Sequence, residues 1–286
     1  METTFEGKVC VVTGAASGIG RALALRLAAS GAMLALSDVN EAALRETQRL
    51  AGEASNRIRI DPLNVADANA IERYPAVVEQ SFGPADYVFN VAGVTRVGDF
   101  EDTPLSSFET IMDVNFWGVV RMSKAFLPHL LQTKGGIVNI SSVFGLVGFS
   151  GQAHYCASKF AVRGFSETIG LELQDKGVRV TSVHPGGVDT NIARSAEFDV
   201  DRGPDASAAL AQEFKKSAIT SPDDAARIIL DGVAKGKRRV MVGRDAKFIS
   251  LVQRLFPARY TRFFRALSGG RPLSTAEAAT SGGAAE

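Results

Sequence analysis

The sequence predicts an α/β domain built on a doubly wound, seven-stranded parallel sheet. Three observations predict it. Seven short β-rich runs recur within residues 1–245. Longer segments with apolar residues at three- and four-residue spacing separate them. The runs are continuously apolar, as strands covered on both faces are. Right-handed crossovers between such strands give the doubly wound arrangement.

In chain order the predicted strands are Val9–Thr13, 33–37, 58–60, Tyr87–Asn90, 136–141, 179–184 and Arg239–Val242. Helical spacing is clearest over 19–29, Ala68–Phe82 and 154–173. No internal repeat or Pro/Gly linker breaks residues 1–245, which are read as one domain. Residues 186–219 carry little periodicity and are expected to form a mobile flap over a cleft. Residues 246–267 read as a basic amphipathic extension. Residues 268–286, rich in Gly, Ala, Ser and Thr, have few apolar anchors and are expected to be disordered.

The chain of 286 residues is 45% hydrophobic and 22% charged, enough to bury a core without disulfides or metals. A net charge of +1 argues against nucleic acid as a partner. Cys10 and Cys156 lie far apart and form no CxxC, which fits a reducing compartment. His129, His154 and His184 form no HExxH, and there is no cysteine cluster, so no metal is expected. The first eight residues are too polar and short for a secretory signal, and no apolar run reaches the length of a membrane span. The expectation is a cytoplasmic protein.

The first strand runs directly into Thr13-Gly14-Ala15-Ala16-Ser17-Gly18-Ile19-Gly20, and a helix follows. In a strand–turn–helix setting, backbone N–H groups and the positive helix end cradle a diphosphate. Gly14 permits the tight turn, Gly18 lets phosphate approach the backbone, and Gly20 lets the helix pack near the strand. The spacing is GxxxGxG, unlike the common GxGxxG. Asp38 ends the second strand, where a carboxylate can accept from the ribose hydroxyls of adenosine and repel a 2′-phosphate. Ser17, Val39 and Asn40 nearby are not basic, so NAD is favoured over NADP. Asp38 can also cap the following helix. Asn64-Val65 and Asn90-Val91-Ala92-Gly93 fall at the carboxyl edge of the sheet, where open α/β folds bind ligands. Asn64 is a candidate contact for the adenine amino group. Asn90, Ala92 and Gly93 are candidates for the floor under the ribose.

The fifth predicted strand ends in Ser141-Ser142, and Tyr155 and Lys159 follow one helical turn apart on one face. A phenol titrates at about 10, and an ammonium one turn away favours the phenolate. Tyr155 is then a candidate to take a proton from an alcohol or return it to a carbonyl, with Ser142 holding the substrate oxygen.

Jointly these motifs resemble the short-chain dehydrogenase/reductase family, in its shorter, single-domain branch. The resemblance covers about residues 5–245 and rests on Thr13–Gly20, Asp38, Asn64-Val65, residues 90–93, Asn115, Ser142, Tyr155, Lys159 and Pro185-Gly186. It implies a Rossmann fold and a catalytic tetrad of Asn115, Ser142, Tyr155 and Lys159. In relatives the asparagine distorts its helix and holds a water that links the lysine to solvent. The resemblance also implies a nicotinamide-side loop from Pro185 and Gly186 to Thr190. There Val188 offers its backbone to the carboxamide and Thr190 its hydroxyl to the diphosphate or carboxamide. Tyr155 and Lys159 would also touch the cofactor. Many relatives carry Asn-Asn-Ala-Gly where this chain has Asn90-Val91-Ala92-Gly93, and aspartate in place of Asn64. Dimers or tetramers, formed by packing two long helices, are expected by the same resemblance.

Candidate walls of the substrate site are Val94, Thr95, Phe144, Leu146, Val147, Phe149, His154 and the flap after Val188. They are mostly apolar and include no basic clamp, so the expected substrate is a hydrophobic secondary alcohol or ketone of steroid, terpenoid or aryl type. Phe144, Phe149, Ser142 and Tyr155 are its named contacts. Two other readings compete: an NADPH-dependent 3-oxoacyl reductase, opposed by Asp38, and a nucleotide-sensing binding protein, opposed by the intact tetrad. Residues 237–271 hold ten Lys/Arg against one acid, Asp245. Phe248, Leu251, Val252 and Leu255 share one helical face, and Tyr260, Phe263, Phe264 and Leu267 another. Packing over the cleft or a neighbouring subunit is favoured for 247–267 over contact with an anionic membrane.

Overall fold

The computed structural model describes residues 5–190, 192, 196–200, 212 and 218–262. The remainder of the expected flap, the second aromatic face beyond Tyr260 and the 268–286 tail lie outside the described residues.

Strands β1 (Val9–Thr13), β2 (Met33–Asp38), β3 (Ile58–Pro62), β4 (Tyr87–Asn90), β6 (Gly136–Ile140), β7 (Arg179–Pro185) and β9 (Arg239–Val242) form one sheet. Their order is β3-β2-β1-β4-β6-β7-β9, with every pair parallel. The winding reverses between β1 and β4, leaving a crevice at their carboxyl ends, the usual place for a ligand. β1, β4 and β6 are buried throughout, which is why they read as unbroken apolar runs.

Two apolar layers sandwich the sheet. On one face Leu23 and Leu27 of α1 (Gly18–Ala29) pack with Ile229 and Leu230 of α7 (Pro222–Ala234). On the other, Ile71 and Val78 of α3 (Ala68–Phe82) pack with Met122, Phe126 and Leu130 of α5 (Gly118–Thr133). Each such side chain contributes about 1.5–3 kcal/mol by leaving water. Helix starts follow local chemistry. Asn40 caps α2 (Glu41–Leu50), Asp67 caps α3, and Ser221 caps α7, whose first residue is Pro222.

Two features have no period to read. α4 (Leu105–Met112) passes through a π-helical turn, Asp113–Trp117, into α5. A separate two-stranded parallel ribbon pairs β5 (Arg96–Val97) with β8 (Glu197–Phe198). The ribbon fixes residues 196–200, inside the segment expected to be a mobile flap. α8 (Arg244–Leu255) buries Ala246 and Val252, while Phe248, Leu251 and Leu255 are exposed. Among the described residues no helix is long and apolar enough to cross a membrane.

Candidate active site

The Gly-rich turn lies at the crevice between β1 and β4. The Thr13 hydroxyl accepts from the amides of Val91 (3.0 Å) and Ala92 (3.1 Å), locking the two strand ends together. Gly14 has φ +66, and a Cβ there would stand 2.7 Å from the Ala92 nitrogen, so neither conformation nor space admits a side chain. A Cβ on Gly20 would overlap the Gly14 carbonyl. Ser17 stands at the N-cap of α1 but makes no side-chain capping bond. A helix start without a capping side chain, beside a turn that no side chain can fill, is the arrangement a diphosphate needs. Gly18 and Ile19 open this helix, and the Thr190 Cβ lies 3.1 Å from where a Gly18 Cβ would be. That brings the end of the loop after β7 back onto the turn.

Asp38 stands at the end of β2. Its carboxylate accepts from the Ala16 amide (3.1 Å) and the Asn40 amide (3.0 Å). Capping of α2 falls to Asn40, whose oxygen accepts from the Ala43 amide at 3.0 Å. The alternative role of Asp38 as that cap is therefore corrected: it sits two residues too early and braces the glycine turn instead.

The asparagines of the expected adenosine side, Asn64 and Asn90, both make bonds within the chain. The Asn64 oxygen, the atom that would meet an adenine amino group, accepts from the Ala66 amide at 2.9 Å. The Val65 side chain packs on Gly118, leaving only its backbone for a ligand. Asn90 is buried, and its amide donates to Asn139 (2.8 Å) and Ser123 (3.2 Å). Its side chain ties β4 to β6 and α5. Ala92 packs against the Gly14 turn. A Cβ on Gly93 would lie 3.2 Å from Asn115 Oδ1 and 3.4 Å from Lys159 Nζ, so Gly93 joins the nucleotide end to the chemical end.

At the chemical end β6 delivers Ser141 and Ser142, and α6 (Ala153–Glu172) opens at Tyr155. Ser141 donates to the Lys159 carbonyl at 2.8 Å, joining strand end to helix. Ser142 accepts from the Phe144 amide (3.1 Å) and lies close enough to the Tyr155 phenol to favour its phenolate. Lys159 Nζ donates to the Ile140 carbonyl at 3.0 Å and stands 5.5 Å from the centroid of the Tyr155 ring. Asn115, in the π turn, clamps Val94 by both backbone atoms, accepting from its amide (2.8 Å) and donating to its carbonyl (2.9 Å). It also donates to Ser158 at 3.1 Å. Asn115 and Lys159 thus meet at Gly93, and Lys159 stands over the ring of Tyr155.

The electrostatics correct one expectation. The phenol of Tyr155 is not lowered by its neighbouring lysine. Burial pushes it up to about 12, against the opposite pull of the nearby Ser142 hydroxyl. Burial brings Lys159 down to about 8. Both groups are enclosed, the ammonium is spent on Ile140, and desolvation outweighs attraction between them.

Sequence reasoning passed over His184. Its Nδ1 lies 3.0 Å from the Ser142 carbonyl, and its Nε2 lies 3.0 Å from Ser182. Burial brings the imidazole down to about 4, so it is neutral at pH 7. The available signal was strand alternation: Ser182 and His184 fall on one face of β7, directed at the end of β6. Pro185 ends β7, and the turn after it is just as tight. A Cβ on Gly186 would overlap the Asp245 carboxylate, which accepts from the Gly187 amide at 2.6 Å. Val188 is buried and bridges to Thr220.

On the substrate side Phe144 and Phe149 stack at 4.7 Å, and Phe144 presents its edge to the Tyr155 ring at 6.1 Å. Val94, held by Asn115, is 41% exposed. Leu146 and Val147 are buried and form packing rather than wall. His154 is buried as well and is turned to Asp199. The Gly148 amide donates to the Tyr260 hydroxyl at 3.0 Å, so the segment after α8 reaches this rim.

A doubly wound parallel sheet with a Gly-rich turn and an apposed Ser/Tyr/Lys group defines a dinucleotide-type oxidoreductase. The chain belongs to the short-chain dehydrogenase family, whose model matches residues 8–201. SadH of Mycobacterium tuberculosis, which carries the name of an oxidoreductase, is 44% identical over 267 residues, 92% of this chain and 96% of its own. LinX of Sphingobium indicum, a 2,5-dichloro-2,5-cyclohexadiene-1,4-diol dehydrogenase, is 36% identical over 204 residues, 70% of this chain and 80% of its own. A short-chain dehydrogenase/reductase from Burkholderia phymatum, solved in complex with NAD, matches with a TM-score of 0.79 at 26% identity. That match covers 90% of this chain and 96% of the other.

Proposed function

We propose that this chain is an NAD-dependent oxidoreductase that interconverts a hydrophobic secondary alcohol and its ketone, with Tyr155 as the acid/base. The observation that carries the reading is Lys159 Nζ standing 5.5 Å from the centroid of the buried Tyr155 ring, with Ser142 at the end of the adjoining strand and the glycine turn alongside.

The first turn of α1, with Gly14, Ser17, Gly18, Ile19 and Gly20, would hold the diphosphate. Asp38 would accept from the adenosine ribose and disfavour a 2′-phosphate. The NAD-bound neighbour from Burkholderia phymatum supports the same choice of cofactor. Val188 and Thr190 would face the nicotinamide side. Bound there, NAD supplies the hydride acceptor for oxidation and the hydride donor for reduction, and its oxidised ring carries a positive charge that favours a phenolate.

The chain's own residues handle the proton. Ser142 donates to the substrate oxygen and keeps it against the phenol. As a phenol, Tyr155 gives its proton to the carbonyl oxygen in reduction. As a phenolate, it takes the hydroxyl proton in oxidation. Lys159, charged or neutral near pH 8, supplies a positive neighbour and a path for the proton. Asn115 fixes Val94 and the flank of Gly93. His184 fixes the Ser142 carbonyl in a neutral, uncharged setting.

Phe144, Phe149 and Val94 support an apolar substrate, and the ring diol in the name of LinX is consistent with a cyclic alcohol. Exposed Phe160 and Leu171 on α6 support a homodimer or homotetramer. The Tyr260–Gly148 bond supports packing of the C-terminal segment over the cleft rather than onto a membrane.

The test is a panel of 1-phenylethanol, cyclohexanol and testosterone, followed by NADH absorbance in parallel with NADP, for the parent and Tyr155→Phe. The expected outcome is turnover with NAD that Tyr155→Phe abolishes while NAD binding is retained. A Tyr155→Phe enzyme as active as the parent would refute the mechanism.

A further inference from the structure

His154 directly precedes Tyr155 in the first turn of α6. Its side chain and that of Asp199 are 1% and 0% exposed. The amide of Tyr155, so near the helix start, has no acceptor within the helix. His154 Nδ1 accepts it at 2.8 Å. A ring nitrogen that accepts carries no proton, so the imidazole hydrogen is on Nε2. Nε2 lies 3.0 Å from Asp199 Oδ2. One imidazole therefore spans from the backbone of Tyr155 to a carboxylate of the substrate-side loop.

Asp199 is fastened elsewhere too. Its carboxylate accepts from Ser107 (2.6 Å), Arg96 Nε (2.7 Å) and, more weakly, Thr103 (3.3 Å). Its amide donates to the Val97 carbonyl at 2.9 Å, continuing the β5–β8 ribbon. Burial alone would raise this carboxyl, but Ser107, Arg96 and His154 more than offset it and hold it below its ordinary value. The Phe108 ring closes the other side of the imidazole at 5.5 Å. Of the four side-chain hydrogen bonds of Asp199, three reach β5, the turn before α4, or α4. The fourth reaches α6. Anchoring of the loop is already served by the three, so the bond to His154 has a different consequence: it links loop and acid/base residue.

We propose that His154 is a positioning residue which, through Asp199, couples the loop segment 196–200 to the backbone of Tyr155, so that the seating of this loop sets where the phenol stands. A substrate that fits the loop side would thereby align its own proton donor, which makes the pair a device for specificity as well as geometry. The inference rests on Tyr155 being the acid/base.

The experiment uses the full chain and the variants His154→Phe, His154→Gln and Asp199→Asn. Amide hydrogen exchange is read at Tyr155 and over 196–200, without substrate. kcat and KM are read with NAD and 1-phenylethanol, or whichever panel alcohol is turned over fastest, and NAD affinity by calorimetry. His154→Phe is expected to speed exchange of the Tyr155 amide at least about tenfold, since it removes the acceptor. It should lower kcat by roughly tenfold to a hundredfold, with NAD affinity unchanged, since small misplacements of a reacting group cost rates of that order. His154→Gln keeps one acceptor and one donor and should restore most of both. Asp199→Asn should speed exchange over 196–200 and at Tyr155 together. Unchanged exchange and kcat in His154→Phe would overturn the proposal. So would an Asp199→Asn that loosens 196–200 and leaves Tyr155 protected. If His154→Phe does not fold, Asp199→Asn and His154→Gln carry the test. A fully active Tyr155→Phe would instead overturn the acid/base reading while leaving the exchange coupling intact.

Discussion

Lys159 donates to the carbonyl of Ile140 at 3.0 Å, across the end of the strand that delivers Ser142, and not to the phenol it stands over. The bond anchors an ammonium in a buried site, and the charge is costly there: burial brings the group from 10.5 down to about 8.

That cost has a pH signature. Between pH 8 and 10.5 the unfolded chain holds a proton that the folded lysine has released, so folding stability from this group rises with pH across that window. The penalty is fully present below pH 8. Lys159→Met, which cannot charge, should therefore gain most against the parent below pH 8, and the difference should move toward the parent up to pH 10.5. Denaturant unfolding of both proteins across that range checks it. A difference independent of pH would remove the buried charge from the account.

Tyr155 is pushed the other way, up to about 12, so it is a protonated phenol at neutral pH before any ligand arrives. Reduction needs that phenol and oxidation needs its phenolate. kcat/KM should rise with pH for alcohol oxidation and fall with pH for ketone reduction. Steady-state profiles in both directions on one substrate pair test this, and profiles that move the same way would contradict it.

Asp38 accepts from the Ala16 and Asn40 amides and presents a carboxylate where a ribose would lie. Asp38→Ser should shift the ratio of kcat/KM for NADP over NAD upward by roughly tenfold to a hundredfold, the worth of a charged hydrogen bond plus relief of repulsion. The measurement is cofactor kinetics at saturating alcohol. An unchanged ratio would separate Asp38 from cofactor choice.

Gly93 is where the two ends of the site meet. Gly93→Ala would set a methyl 3.2 Å from Asn115 Oδ1 and 3.4 Å from Lys159 Nζ, a contact that a shift of a few tenths of an ångström relieves. Stability should fall by about 1–3 kcal/mol, as small overpacking does. kcat should fall about tenfold or more, because the atoms displaced are those that place the proton path. Thermal unfolding and kcat, read on one preparation, distinguish the two effects.

How much of this was legible beforehand depends on the range of the interaction. The acid at the end of β2, the glycine spacing and the Tyr155–Lys159 turn are local patterns, readable because neighbours in sequence are neighbours in space. His184 beneath Ser142 was not, since its partner is 42 residues away and its own strand merely alternates. The bonds of Asn90 to Asn139 and Ser123 were hidden for the same reason, since they join residues 49 and 33 positions apart.

The residue order by itself determined the parallel sheet, the diphosphate turn and the chemical family of the site, because periodicity and glycine placement are constraints on a chain a few residues long. The three-dimensional packing alone decided the direction of the tyrosine's shift, the pairing of two-residue strands 96–97 and 197–198, and the meeting of His154 with Asp199. Those depend on desolvation and on contacts between distant segments, and neither leaves a mark on any single stretch of sequence.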